Sequence, residues 1–529
     1  MKVSGKILTT VLAACLVLCA KAQTEVRMLE GEKWWGCVTD WGDKMPFDER
    51  TQLWADLWHD NFNNQTTPLL VSNRGRYVWC DDVFAIQIAG GVISLQTKGK
   101  VEYVETGGGL REAYLSASAA HFPASGKIPE ELFFSQPQYN TWIELLRNQN
   151  QADVLKYAYG IIDSGLPPGI LMVDDNWQQS YGNFDFRADK FPDPKGMTEE
   201  LHRMGFRIML WISPFVTADS QEFKLCREKG YLLKRKGSDE PIIVKWWNGY
   251  SAVFDMSNPA TNDYLYATLQ KVQQEYGIDG FKFDGGDPQY YDEQMATAFD
   301  GKSYGPRQTE LWSKFASRFP FNELRASWKM GAQPVVQRLG DKGYAWKEVK
   351  RLVPNMIAAG LMGHLFTCPD MIGGGSDSSF KRTAEEGFDG ALVVRSCQIH
   401  SLMPMMQFSV APWRVLGKEH MDICRTSALL HSRLGSYVLE QAKYAAQSGE
   451  PIVRAMEYAY PNQGFEECMD QYMLGDKYLM APATDDGAAR VVKLPKGRWR
   501  DDEGKFYLGG KSYTIVVPLQ RMLYFEKVK

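Results

Sequence analysis

Between about residues 136 and 432, eight short apolar runs alternate with helical stretches. No other feature limits the possible folds of this 529-residue chain so tightly. Parallel strands cannot be joined by a hairpin and need a crossover, usually a helix, so a long strand–helix alternation builds a parallel sheet. The candidate strands are Thr141–Leu146, Ile170–Asp175, Arg207–Ile212, Gly280–Gly285, Glu323–Trp328, Gln337–Gly340, His364–Asp370 and His400–Met406. Helices are predicted between most of them, for example over Gln151–Ser164 and Pro259–Tyr276. Eight such units predict an α/β fold of the (β/α)8 TIM-barrel type. Polar residues collect where these strands end: Asp174, Asp175, Asp284, Arg325, Asp341 and Asp370. One such carboxylate is an ordinary helix N-cap. Several at successive strand ends point to a site on the C-terminal rim of the barrel.

Both flanks read as β-rich. Residues 23–135 carry alternating runs such as Arg76-Tyr77-Val78-Trp79 and Ala85-Ile86-Gln87-Ile88, with a Gly107-Gly108-Gly109 loop and a Pro123 to Pro129 boundary. Residues 433–529 carry Lys477-Tyr478-Leu479-Met480, Val491-Val492-Lys493-Leu494 and Tyr513–Pro518. The expected organisation is an N-terminal β-sandwich at 23–135, the barrel at 136–432 and a C-terminal β-sandwich at 433–529.

Residues 1–22 have the pattern of a signal peptide. Lys2 and Lys6 precede an apolar stretch, Ile7 to Cys19, that is too short to span a bilayer, and Ala20-Lys21-Ala22 is a small-x-small cleavage site. Cleavage after Ala22 makes the mature protein secreted or periplasmic. Leu12-Ala13-Ala14-Cys15 resembles a lipoprotein box, but cleavage there leaves a very short apolar stretch before it. No later stretch reads as a membrane span. The seven remaining cysteines are scattered without CxxC spacing, and an odd number leaves at least one thiol unpaired in a monomer. They are expected as buried small hydrophobes. His364 and Cys368 lack a second ligand pair, so no zinc site, other metal or cofactor is expected. A net charge of −4 offers no basic surplus for nucleic acid.

The densest chemistry lies in Gly277-Ile278-Asp279-Gly280-Phe281-Lys282-Phe283-Asp284-Gly285-Gly286-Asp287. Side chains alternate along a strand, so Lys282 and Asp284 share one face. A neighbouring cation keeps a carboxylate ionised, as a nucleophile at an anomeric carbon requires. The plainer reading is a structural ion pair. Retaining glycoside hydrolysis also needs a protonated carboxyl beside the leaving oxygen. Asp341, in Arg338-Leu339-Gly340-Asp341, and Asp370, in Cys368-Pro369-Asp370-Met371-Ile372-Gly373-Gly374, both qualify, and spacing does not choose between them.

Several segments in order resemble glycoside hydrolase family 31. They are Val173-Asp174-Asp175-Asn176-Trp177 with Phe184-Asp185-Phe186 and Phe191-Pro192-Asp193-Pro194, then Trp211-Ile212-Ser213-Pro214-Phe215, and Val253-Phe254-Asp255-Met256-Ser257-Asn258-Pro259. Towards the C-terminus come Asp470-Gln471-Tyr472-Met473-Leu474-Gly475-Asp476, Met480-Ala481-Pro482-Ala483 and Leu494-Pro495-Lys496-Gly497-Arg498-Trp499. The resemblance implies Asp284 as nucleophile. It also implies Asp341 as acid/base, because the family places a Gly-Asp pair sixteen residues after a strand-end Arg, here Arg325. Asp174, Asp175, Lys282, Arg325 and Asp370 are implied as sugar-binding residues, and Trp211 and Trp247 as the apolar wall.

The departures bear on the sugar. Where the family's α-glucosidases carry Trp-x-Asp-Met-Asn-Glu, this chain has Lys282-Phe283-Asp284-Gly285-Gly286-Asp287, and no Arg-x-His stands near Met406-Gln407-Phe408-Ser409. Lys-x-Asp and the Asp-Asp pair resemble the clan of α-galactosidases, and Lys282-Phe283-Asp284 with Pro369-Asp370-Met371-Ile372-Gly373-Gly374 resembles the myogenesis-regulating glycosidase branch of family 31. The resemblance therefore implies a cofactor-free, retaining, exo-acting α-galactosidase acting on an oligosaccharide or other α-galactoside. The alternatives are an α-glucosidase, α-xylosidase or sulfoquinovosidase of the same family, or a sugar-binding protein without catalysis.

Overall fold

The computed structural model describes residues 22–62, 64–291, 294–302 and 305–528. The predicted leader, apart from Ala22, lies outside the described residues. The centre of the molecule is a barrel of eight parallel strands, labelled here β1 Gln138–Asn140, β2 Ile170–Val173, β3 Arg207–Ile212, β4 Gly280–Phe283, β5 Phe321–Leu324, β6 Val336–Arg338, β7 Thr367–Cys368 and β8 Gln407–Phe408. Neighbours pair in register from β8 through β1 to β7, for example Trp211 with Lys282 and Lys282 with Glu323. The seam is closed by the Ile372 N–H donating to the Gln407 carbonyl at 2.8 Å. The barrel strands are buried on both faces, which is why they read as continuous apolar runs.

Local chemistry punctuates the βα units. In the helix Pro259–Tyr276 the Asn258 side chain accepts from the Ala260 N–H, proline stands in the first turn, and Gly277 ends the helix at φ +72°. The two outermost strand predictions miss. β1 lies before Thr141, and Trp142–Leu145 forms a helical turn opened by Asn140, whose side chain accepts from the Trp142 N–H. β8 lies after Met406. His400 and Ser401 close the buried helix Gly390–Ser401, which Asp389 caps. A short apolar run inside a helix buried all round carries no period that separates it from a strand.

Two antiparallel sheets precede the barrel. One orders Ala22–Arg27, Val92–Thr97, Phe84–Ala89 and Leu53–Asp56. The other is built on Gln65–Ser72, which pairs with Trp34–Val38 and Arg76–Cys80. Ser327–Trp328, predicted as part of β5, leaves the barrel and pairs parallel with Gln65 and Thr66 of this sheet. Residues 23–135 also hold a helix, Leu110–His121, whose buried Leu110, Ala113, Tyr114 and Ala117 recur at helical spacing.

The helix Lys418–Ser448 runs through position 433, and antiparallel β structure resumes at Val453–Ala455. It continues as a six-stranded sheet and a two-stranded antiparallel sheet, Ala489–Leu494 with Lys511–Val516, around Trp499, Leu479 and Phe525. One apolar core joins all three parts, running from Trp34 and Leu69 through Leu352 and Ile357 to Tyr472 and Met480. The seven described cysteines are free thiols, and all but Cys468 are buried. No described helix is long and apolar enough to cross a membrane.

Candidate active site

A cavity of about 230 Å³ opens at the C-terminal ends of the barrel strands. Eight of the nine residues singled out from the sequence line it: Asp174, Asp175, Trp211, Trp247, Lys282, Asp284, Arg325 and Asp341. Asp284 follows β4, and its backbone N–H donates to the Ile212 carbonyl at 2.9 Å, which pins it beside the end of β3. Its carboxylate is 7% exposed. Oδ2 accepts from the Trp211 indole at 2.6 Å, Oδ1 accepts from the Gly285 N–H at 2.9 Å, and the Arg325 guanidinium lies 3.7 Å from Oδ1. Burial alone would raise this carboxyl. The charges of Arg325, Lys282 and Arg338, with the Trp211 hydrogen bond, outweigh it and hold the group below the ordinary carboxylate range.

Lys282 does not pair with Asp284. Its ammonium donates to Asp174 Oδ2 at 2.7 Å, with both groups buried. Asp174 follows β2, and its backbone N–H donates to Thr141 Oγ1 at 3.0 Å. Next to it, Asp175 accepts from the Tyr181 hydroxyl at 3.0 Å and the Asn248 amide at 2.7 Å. Burial, with Asp174 nearby, pushes Asp175 up to about 6 despite the Asn248 hydrogen bond. Asn248 belongs to a hairpin, Val244–Trp246 with Gly249–Val253, that folds over the cavity after β3. The same hairpin brings Trp247, 39% exposed, beneath the Arg325 guanidinium at 5.1 Å.

Arg325 joins the two candidate catalytic carboxylates, lying 3.7 Å from Asp284 and 3.8 Å from Asp341. It also lies 3.3 Å from Asp287, which is fully buried and accepts from Asn61 at 3.1 Å. The preceding sheets brace this rim, because the Gln65 amide donates to the carbonyls of both Arg325 and Arg338 at 2.6 Å.

Asp370 is not on the cavity wall. It is fully buried at φ +81°, and its oxygens accept from Arg338 at 2.8 Å and from the backbone N–H groups of Lys342 and Gly375 at 2.8 and 3.2 Å. The sequence reading missed Trp142, Arg147 and Asp377, which line the cavity, and Arg338, which lies beneath it. Arg338 stands three residues before Asp341 at a strand end, a signal that was legible. Asp377 opens the helix Asp377–Glu386, seven residues after Asp370, and no motif in the sequence marked it. Among the described residues no group of three or more His, Cys, Asp or Glu is placed to hold a metal ion.

The model for the glycosyl hydrolases family 31 TIM-barrel domain matches residues 134–440, and the one for the family 31 C-terminal domain matches residues 449–527. The chain is 30% identical over 397 residues to myogenesis-regulating glycosidase of Mus musculus, covering 73% of this chain and 55% of that protein. It is 26% identical over 442 residues to an alpha-xylosidase of Emericella nidulans, covering 74% and 54%. The chain thus spans about half the length of these curated relatives. A solved family 31 dextranase of Flavobacterium johnsoniae, complexed with glucose, superposes with a TM-score of 0.82 at 21% identity. The match covers 96% of this chain and 66% of that one, and it speaks for the fold.

Proposed function

The chain belongs to glycoside hydrolase family 31, and from that premise we propose that it is a retaining, exo-acting α-glycosidase with Asp284 as nucleophile and Asp341 as acid/base. One observation carries the reading. A buried carboxylate is kept ionised by three cations under a small cavity, and the guanidinium beside it also reaches a second, more exposed carboxylate. Asp284 attacks the anomeric carbon while Asp341 protonates the departing oxygen. The glycosyl–Asp284 bond is then broken by water that Asp341 deprotonates, and the α configuration is retained. The cavity, below the usual range of about 300–1,000 Å³ for ligand sites, suits one terminal sugar rather than a threaded chain.

The glycone is galactose. The buried Lys282–Asp174 pair and the adjacent Asp175 offer a hydroxyl-bearing ring a cluster of fixed donors and acceptors on one wall. The leader pattern supports a secreted or periplasmic place for this activity. The test is hydrolysis of p-nitrophenyl α-galactoside beside the matching α-glucoside, α-xyloside and α-sulfoquinovoside, with the first-formed anomer followed by NMR. Turnover of the galactoside with α-galactose appearing first is expected, falling on the order of 10⁴-fold or more in Asp284→Asn. A β-anomer first would overturn retention, another glycone turned over would overturn galactose, and unchanged activity in the variant would overturn the nucleophile.

A further inference from the structure

Carboxylates and cations crowd together at the C-terminal end of the barrel, on the cavity wall and beneath it. Asp174, Asp284, Asp287, Glu323, Asp341 and Asp370 lie against Lys282, Arg325 and Arg338, and the buried Lys342 faces Asp370. Charges taken out of water are costly unless they are paired, so the placing of each cation matters. Arg338 serves two of these carboxylates. It closes β6, is 1% exposed and does not line the cavity. One nitrogen of its guanidinium lies 2.8 Å from Asp341 Oδ1 and 2.8 Å from Asp370 Oδ1. The other side of the group is anchored in the barrel, with Nε 3.4 Å from Glu323, whose second oxygen accepts from Gln407 at 2.7 Å. The backbone of Gly375 closes over the pair, where a Cβ would lie 2.7 Å from Asp341 Oδ1 and 2.9 Å from Asp370 Oδ1.

We propose that Arg338 is the positioning residue of the acid/base: by holding Asp341 and Asp370 on one nitrogen it fixes where the Asp341 carboxyl points. Asp370 then acts through Asp341 and not by gripping sugar. This rests on Asp341 being the acid/base. The other charges facing Asp341 are Arg325 from the end of β5, Asp284 across that guanidinium, Asp377 on the shared cavity wall, and Lys342, Asp40 and Arg351 around an adjoining cavity; Lys342 also faces Asp370. Burial and the charge of Asp341 push Asp370 up to about 6 against the pull of Arg338 and Lys342.

The test compares a phenyl α-glycoside, whose leaving oxygen needs a proton, with the matching α-glycosyl fluoride, whose leaving group does not. The glycone is the one turned over in the panel above. In Arg338→Met, kcat/KM for the phenyl glycoside is expected to fall about 10²-fold and for the fluoride less than about tenfold, with Arg338→Lys restoring part of the difference. The two neighbours should move the basic limb of the pH profile in opposite directions. Removing the cation in Arg338→Met lets Asp341 keep its proton to higher pH, whereas removing the neighbouring negative charge in Asp370→Asn makes it lose the proton sooner. Equal losses on both substrates with unmoved limbs would mean a structural role and overturn the proposal. Asp341→Ala separates this from the larger reading. If it too treats the substrates alike, Asp341 is not the acid/base and both readings fall. If it discriminates and Arg338→Met does not, only this one falls.

Discussion

At the scale of single residues, ionisation is set by which charges share a desolvated space. Lys282 shows this, since its nearest partner is Asp174 while its field still reaches Asp284. Replacing it by methionine should do two separable things. The Asp284 carboxyl loses a stabilising cation and rises, so activity survives to a less acidic limit, and the acid limb of kcat/KM against pH moves upward. Asp174 is left buried without its partner, at a cost of about 3–5 kcal/mol that a denaturation curve would read. A variant that lost stability with an unmoved acid limb would show that Arg325 and Arg338 hold Asp284 ionised without help.

At the scale of elements, the turn after β4 is tightly constrained. Gly285 and Gly286 have φ of +66° and +78°, a region side chains rarely adopt. A Cβ at Gly286 would also stand 2.5 Å from Trp312 Cδ1 in the helix Gly305–Ala316. Gly286→Ala should therefore cost about 2–4 kcal/mol through backbone strain and overpacking together. Because Asp284 and Asp287 flank the turn, kcat should fall as well, and steady-state kinetics on the folded fraction would check it. Wild-type kinetics in that variant would mean the turn relaxes without moving Asp284. The same scale shows where sequence patterns lose force. β3 and the helix Pro259–Tyr276 stand where apolar runs and caps predict them. β1 and β8 do not, because two- and three-residue strands beside buried helical turns have no period of their own.

At the scale of the whole molecule, the C-terminal sheets are tied to the barrel through buried polar groups as well as apolar packing. Arg395, in the helix Gly390–Ser401, donates to the Val517 carbonyl at 2.7 Å and lies within 3.5 Å of the Gly487, Pro518 and Arg521 carbonyls. Its neighbour Gln398 donates to the Leu519 carbonyl at 2.7 Å. Arg395→Met would take away the donor at 2.7 Å from the Val517 carbonyl, so calorimetry should show the C-terminal part unfolding separately and earlier, with a loss of about 1–3 kcal/mol. A single transition at the wild-type temperature would mean that the shared apolar core alone couples the parts. The sequence by itself determined the βα alternation, the strand ends that carry Asp174, Asp284, Arg325 and Asp341, and the family, because strand period, helix caps and ordered motifs are local and written in consecutive residues. Only the tertiary structure decided that Lys282 pairs with Asp174 and that Asp370 lies under the cavity against Arg338. It alone also decided that Gln65, from a sheet outside the barrel, and Asn61, from the loop before that strand, brace the rim. Those contacts join residues far apart in the chain, and their partners are chosen by how the barrel closes and what it shuts away from water.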